Sequence, residues 1–98
     1  MVIVTDNAKN ELEKIVSGKN IRVFDLIFNG FGWGGPNIGL VESDKNDVEG
    51  SVNCNGFYFH IDNRLKEIQS QLGKIVIDFV DGFWGKKFLI QFEGMSSC

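Results

Sequence analysis

Apolar residues recur at helical spacing in two segments, each with its own start and stop residues. Thr5 or Asp6 is a suitable N-cap for the first helix, and Asp62 for the second. Ser17-Gly18 ends the first helix, and Gly73 stands where a left-handed residue would end the second. The two apolar faces comprise Ala8, Leu12, Ile15 and Val16, and then Leu65, Ile68 and Leu72. We therefore predict two short, amphipathic surface helices.

The other apolar runs have the spacing of strands. Residues 21–28 are almost continuously apolar, which is typical of a central strand covered on both faces. Asn55-Gly56 separates two strand-like runs and tolerates the positive φ angles of a type I′ turn, so it predicts a β-hairpin. Residues 75–80 and 88–92 are predicted to form two antiparallel strands joined through 82–85. Segregated helices and dominant hairpins indicate a mostly β or α+β class, not alternating βαβ units.

Length and charge narrow the function classes. The 98 residues fit one domain, which we expect to span residues 1–93 and to end in a short mobile tail, 94–98. The formal net charge is −3 with no basic cluster, which argues against nucleic acid and anionic membranes as partners. The N-terminal apolar run is too short for a signal peptide, and no run reaches the ~18 residues of a membrane span. We expect a cytoplasmic protein.

A glycine-rich segment follows the predicted central strand and contains the spacing GxGxxG at Gly30, Gly32 and Gly35. A dinucleotide site needs a helix at the third glycine, whereas residues 36–41 have the pattern of a strand. The missing helix argues against nucleotide binding. Instead, Gly30, Gly32, Gly34 and Gly35 are predicted to form a backbone turn. This turn presents Trp33, either as a plug of the core or as an interface residue.

Four aromatic residues fall in predicted turns: Phe31, Trp33, Phe83 and Trp84. So small a domain is not expected to cover all of them with its own core, so we predict that they form an interaction surface and that the chain is a homo-oligomer.

No enzyme template emerges from the remaining polar residues. His60 alternates with the apolar face of its strand and has no nucleophile motif beside it, so a solvated or hydrogen-bonded role is favoured over a general base. The acidic run 42–49 lacks the EF-hand arrangement and is predicted to be a solvated hairpin connection. Cys54 and Cys98 lack the spacing of a disulfide scaffold, although a single bridge between them stays open.

Taken together, several segments of the chain resemble the HesB/IscA-like family of iron–sulfur biogenesis proteins. The segments are Thr5-Asp6-Asn7-Ala8, Phe31-Gly32-Trp33-Gly34-Gly35-Pro36-Asn37-Ile38-Gly39-Leu40, Asn55-Gly56-Phe57 leading to Ile61-Asp62, and Ile77-Asp78-Phe79-Val80 with Phe88-Leu89-Ile90. The resemblance implies a compact twisted β-sandwich or distorted barrel with two short surface helices. It also implies assembly or recipient proteins of the iron–sulfur pathway as partners.

Family members that carry iron or a [2Fe–2S] cluster use one cysteine in the glycine loop and a Cys-x-Cys pair in the tail. The resemblance places the loop ligand at Trp33 and the first tail ligand at Cys98, so Cys98 is the lone family-matched thiol. An indole cannot replace a thiolate, because its nitrogen is only a donor. Cys54 matches no ligand position and is interpreted as a small apolar residue. Iron or a [2Fe–2S] cluster is expected only if the native gene encodes further thiol or selenol ligands, for example through UGA at codon 33 or after codon 98.

Two hypotheses of different classes follow. The first is a non-enzymatic HesB/IscA-like protein related to iron–sulfur assembly or iron carriage, with most of the family's thiols missing. The second is a self-associating or partner-binding structural module of the same fold, with no metal function.

Overall fold

The computed structural model describes residues 2–18, 22–32, 35–43, 47–83 and 85–95. Within these ranges the chain alternates strands with two α-helices and ends in a 3₁₀ turn. The elements, in order, are β1 (Val2–Val4), α1 (Asp6–Val16), β2 (Val23–Gly32), β3 (Gly35–Glu42), β4 (Val52–Cys54), β5 (Phe57–Ile61), α2 (Asn63–Leu72), β6 (Ile75–Gly82), β7 (Gly85–Phe92) and the 3₁₀ turn (Glu93–Met95).

The strands form two mixed sheets. One has the order β1-β6-β7 and the other β3-β2-β5-β4, so β2 is an interior strand, as predicted. The three hairpins β2/β3, β4/β5 and β6/β7 are antiparallel, while β1 pairs with β6 and β2 with β5 in parallel. The predicted α+β class is confirmed, and the described strands form two sheets, not a barrel.

Both helices begin and end at the predicted residues. Thr5 caps α1: its Oγ1 accepts a hydrogen bond from the Ala8 N–H at 3.2 Å. Asp62 caps α2 by accepting from the Arg64 N–H at 2.8 Å, and Gly73, with φ 87°, ends it. These caps satisfy backbone groups that the first and last helical turns leave unpaired. Among the described helices, none has both the length and the apolar character needed to cross a membrane.

One hydrophobic core joins the two sheets and both helices. Its aromatic centre lies on the four-stranded sheet, where the ring of Phe24 packs 6.0 Å from those of Phe57 and Phe59. The other buried members of the core are Val4, Ala8, Leu12, Val16, Leu26, Ile61, Leu65, Ile75, Ile77 and Phe92. Burial of these side chains is the main driving force for folding.

The structure corrects the connection predicted for the acidic run. β3 and β4 lie on opposite edges of the four-stranded sheet, so the segment between them crosses the sheet and is not a hairpin connection. The physical reason is the parallel pairing of β5 with β2, which places β4 outermost.

Strand β1 has no counterpart in the sequence prediction. The 3₁₀ turn brings Gly94, assigned from sequence to the tail, against the end of α2.

Candidate functional site

The glycine-rich segment forms most of a β-hairpin. Gly30 and Gly32 belong to β2 and Gly35 begins β3, so the turn predicted over 30–35 is narrower than expected. The ladder continues because a β-bulge lies between the pairs Phe28↔Ile38 and Phe31↔Pro36, and Gly30 there adopts φ 89°. Trp33 and Gly34, which fall between the paired Gly32 and Gly35, lie outside the described residues.

Two glycines of this hairpin make room for asparagine side chains. A Cβ at Gly32 would lie 2.8 Å from Asn37 Nδ2, and one at Gly39 would lie 2.7 Å from Asn29 Nδ2. Either Cβ would have to displace an amide. At Gly32 a rotation of the exposed Asn37 side chain would relieve this contact, whereas at Gly39 a Cβ would also meet Ile27 Cγ1 at 2.9 Å, so close packing favours glycine most at Gly39.

Phe31 extends from this hairpin into solvent and is 74% exposed. Its ring meets Phe28 edge-on with centroids 5.2 Å apart, and the Arg64 guanidinium lies 5.5 Å from the Phe28 centroid. The bulge, Phe28 and the first turn of α2 thus hold one exposed aromatic in place. Nothing in the sequence pattern identified Arg64 as part of this arrangement.

The β6–β7 hairpin presents a second exposed aromatic. Gly82 pairs with Gly85, and Phe83 between them is 93% exposed. Trp84 lies outside the described residues. Of the four residues predicted to form an interaction surface, the structure therefore describes Phe31 and Phe83, one on each sheet, and both are exposed.

The described residues do not provide a metal centre. Among them, no group of three or more His, Cys, Asp or Glu side chains could hold a metal ion. Cys54 is a half-buried free cysteine that packs against the core, in line with its interpretation as a small apolar residue. Cys98 lies outside the described residues.

Strand register separates Cys54 from the glycine hairpin. Cys54 pairs with Phe57, and Tyr58 lies opposite Val23, so Cys54 is level with the start of β2. Gly32 lies nine residues further along that strand, about 30 Å away at ~3.3 Å per residue. Cys54 and the β2–β3 tip of one protomer therefore cannot bind the same metal.

Helix α2 runs from the β2–β3 hairpin to the 3₁₀ turn. Its N-terminal turn carries Arg64 over Phe28, close to the exposed Phe31. Its C-terminal end meets the 3₁₀ turn, where Glu93 accepts a hydrogen bond from the Lys74 N–H at 3.4 Å. Arg64 and Leu72 are eight residues apart, or about 12 Å along the helix axis. The 3₁₀ turn thus lies about one helix length from Phe28 of the β2–β3 hairpin.

His60 occupies the outer face of the four-stranded sheet. Its Nε2 lies 2.7 Å from the Asp47 carbonyl oxygen, and its register partner is Asp25. A 220 Å³ hollow beside it is lined by Asp25 and Asp62 but by no hydroxyl or thiol nucleophile. The hydrogen-bonded role favoured from sequence fits this geometry.

Several solved structures share this architecture. A crystal structure of IscA with a [2Fe–2S] cluster matches with a TM-score of 0.68 at 16% identity, covering 94% of this chain and 82% of that one. A crystal structure of Escherichia coli SufA, involved in the biosynthesis of iron–sulfur clusters, matches at 0.65 and 14%, covering 93% and 79%.

A solution NMR structure of a protein from Aquifex aeolicus matches with a TM-score of 0.61 at 22% identity, covering 90% of this chain and 87% of that one. No family model matches the sequence, and no curated protein does. The structural matches confirm the resemblance at the level of the fold, because they extend over nearly the whole chain at low identity. The chain has the HesB/IscA fold.

Proposed function

We propose that this chain, which has the fold of IscA and SufA, serves iron–sulfur cluster assembly or iron carriage as a non-enzymatic protein. The observation that carries the proposal is the match to cluster-bearing IscA over 94% of the chain. Further support comes from the glycine hairpin, in which Gly32 pairs with Gly35 at the end of β2 and β3, because the family resemblance assigns the loop ligand to the segment between them. Partners are then assembly or recipient proteins.

The ligand set distinguishes this chain from a complete carrier. A [2Fe–2S] cluster takes four ligands, usually thiolates, and the family resemblance assigns only Cys98 among the residues present. Two protomers would contribute two such thiols, and Cys54 is too far from the hairpin tip to complete a set there. The residues present do not fit a cluster, so the chain as it stands should hold iron weakly or not at all.

Anaerobic reconstitution with iron and sulfide tests this assignment. The proteins to compare are the unmodified chain, Cys98→Ser, Trp33→Cys and Trp84→Cys. We expect Trp33→Cys, which restores a loop thiol, to bind more iron and to develop visible charge-transfer absorption. Trp84→Cys is the matched control, because it places the same thiol on the other aromatic hairpin.

Two results would contradict the ligand assignment. One is equal iron binding by Trp33→Cys and Trp84→Cys. The other is stoichiometric cluster binding by the unmodified chain that survives Cys98→Ser, since the lone family-matched thiol would then be dispensable.

A structural module without metal function is the second candidate. The exposure of Phe31 and Phe83, one on each sheet, favours it, because large exposed aromatics on a small domain are typical of interaction surfaces. This candidate predicts that Trp33→Cys gains no iron while oligomerisation depends on the aromatic tips.

A further inference from the structure

Strand β6 leaves part of one edge unpaired. β1 pairs with it only from Ile75 to Ile77, whereas β7 pairs along its other edge as far as Gly82. The Thr5 N–H donates to the Ile77 carbonyl at 3.0 Å, which fixes the direction of that edge. Backbone groups alternate along a strand, so those of Phe79 and Asp81 point the same way as those of Ile77. β1 has already ended at this point.

The first group on this edge is capped from within the molecule. The Asp78 carboxylate accepts from the Phe79 N–H at 2.8 Å and from Thr5 Oγ1 at 2.7 Å. Among the described residues, none bonds the Phe79 carbonyl or the Asp81 N–H and carbonyl on this edge. An unpaired row of this kind is a template for another strand.

A cleft of about 580 Å³ lies along this edge, and α1 forms its other wall. One helical stripe faces it: Asn7, Asn10, Glu11 and Lys14. Over the described chain, the amides of Asn7 and Asn10 have no hydrogen-bond partner, and Asp81 and Lys86 form no ion pair. Both walls therefore offer unused donors and acceptors.

The geometry points to a site for β-strand addition, in which an extended segment of another protein lies between α1 and β6 as a continuation of β1. Its backbone would pair with the carbonyl of Phe79 and with Asp81, while the asparagine amides meet its side chains. The helical wall from Asn7 to Lys14 is about 10 Å long, room for about three extended residues.

The charges of the cleft favour a polar segment with no net negative charge. Glu11 pairs with Lys14 at 3.8 Å, and Asp81 lies opposite Lys86 in the β6–β7 ladder, while Asp78 adds one further carboxylate to the lining. This excess of one negative charge disfavours a polyanion. A wall of this length fits a short single strand, whereas the sheet edge of a second copy is longer, since β6 itself spans eight residues.

Amide chemical shifts of the isotope-labelled protein test the site. The probe is an end-blocked peptide of alternating threonine and valine with one lysine and one glutamate for solubility. We expect shifts at Asp81 and Gly82 that saturate at about 1 mM peptide, because few backbone bonds form. N-methylation of every second peptide residue, in the register that faces β6, should abolish them, since it removes the paired N–H groups.

Asn10→Trp fills the cleft and should weaken peptide binding at least about tenfold, which is about 1.4 kcal/mol. Lys9→Trp is the matched control on the neighbouring position of α1, outside the cleft lining, and should bind like the unmodified protein. Spectra that otherwise coincide with those of the unmodified protein verify the fold of each variant.

Four results would overturn the site: no shift at Asp81 up to about 10 mM peptide, equal binding of the N-methylated peptide, equal weakening by Lys9→Trp, or shifts confined to Phe31 and Phe83. Protection of the Asp81 amide that disappears on dilution without peptide would also contradict it, because a second copy would then occupy the edge. The readout involves no metal and is independent of the proposed iron–sulfur role.

Discussion

At the scale of single residues, Thr5 joins three parts of the fold. Its side chain caps α1, its N–H ends the β1–β6 ladder, and its hydroxyl donates to Asp78. Asp78 in turn covers the Phe79 N–H at the end of that ladder. One short hydroxyl side chain therefore secures the transition from strand to helix. The cap was evident from the sequence, whereas the contact with Asp78, 73 positions away, was not.

Thr5→Ala is predicted to lower the free energy of unfolding by about 2 kcal/mol, through loss of the helix cap and of a hydrogen bond to a charged carboxylate. Thr5→Ser keeps the hydroxyl and should cost less than about 0.5 kcal/mol. Urea denaturation of the three proteins measures both values. Equal destabilisation by alanine and serine would show that the methyl group, not the hydroxyl, matters.

Gly30 provides a test of backbone strain without steric overlap. It has φ 89°, and a Cβ there would meet nothing within 4 Å, so Gly30→Ala adds only the cost of a left-handed conformation. We expect a loss of about 1 kcal/mol. Gly82 is the matched control, since its surroundings are equally open and its φ is not positive. Thermal denaturation should leave Gly82→Ala near the unmodified protein, and equal loss in both variants would contradict the bulge geometry.

At the scale of elements, local rules predicted what short segments determine. Asn55 and Gly56 have φ angles of 55° and 85°, as a type I′ turn requires. Long-range pairing left no such mark: β1 is three residues long and pairs with a strand more than 70 positions later. The parallel β2–β5 pairing likewise depends on tertiary packing. Because the sequence does not reveal this pairing, the acidic run was wrongly predicted to be a hairpin connection.

The candidate site could likewise be predicted only where a short segment of sequence determines the structure. The sequence predicted Phe31 and Phe83 to lie in turns of a small domain, and their exposure is as that prediction expects, although Phe31 belongs to β2. The bulge at Gly30 could not, because a glycine in a turn and a glycine in a bulged strand look alike in a single sequence. The contact of Arg64 with Phe28 depends on where α2 packs, which no local pattern specifies.

Helix α2 is secured to the core by one fully buried side chain. Leu65 is 0% exposed, whereas Ile68 and Leu72 are half-buried. Leu65→Ala is predicted to lower the free energy of unfolding by about 3 kcal/mol, through lost burial and the cavity left behind. Ile68→Ala on the same face should cost about 1 kcal/mol. Urea unfolding with an unchanged m-value measures both, and a larger loss at Ile68 would contradict the packing of α2.

At the scale of the whole molecule, the hydrophobic core and the exposed aromatic side chains lie in different places. The core joins both sheets and both helices, while the exposed aromatics lie at the ends of two hairpins beyond it. Substitutions at the tips should therefore change association without changing the unfolding free energy. This separation lets self-association be tested on folded protein.

Phe31→Ser and Phe83→Ser are predicted to shift the protein toward monomer, because exposed aromatics are the residue type that dominates interface energies. Loss of one such anchor costs about 2 kcal/mol, which raises the dissociation constant about 30-fold. Val48→Ser is the control, since Val48 is 47% exposed but lies outside both hairpin tips, and it should leave the dissociation constant unchanged. Sedimentation velocity over a concentration series measures the equilibrium. A monomer at every concentration for the unmodified chain, or an equal shift caused by Val48→Ser, would show that the aromatic tips do not mediate self-association.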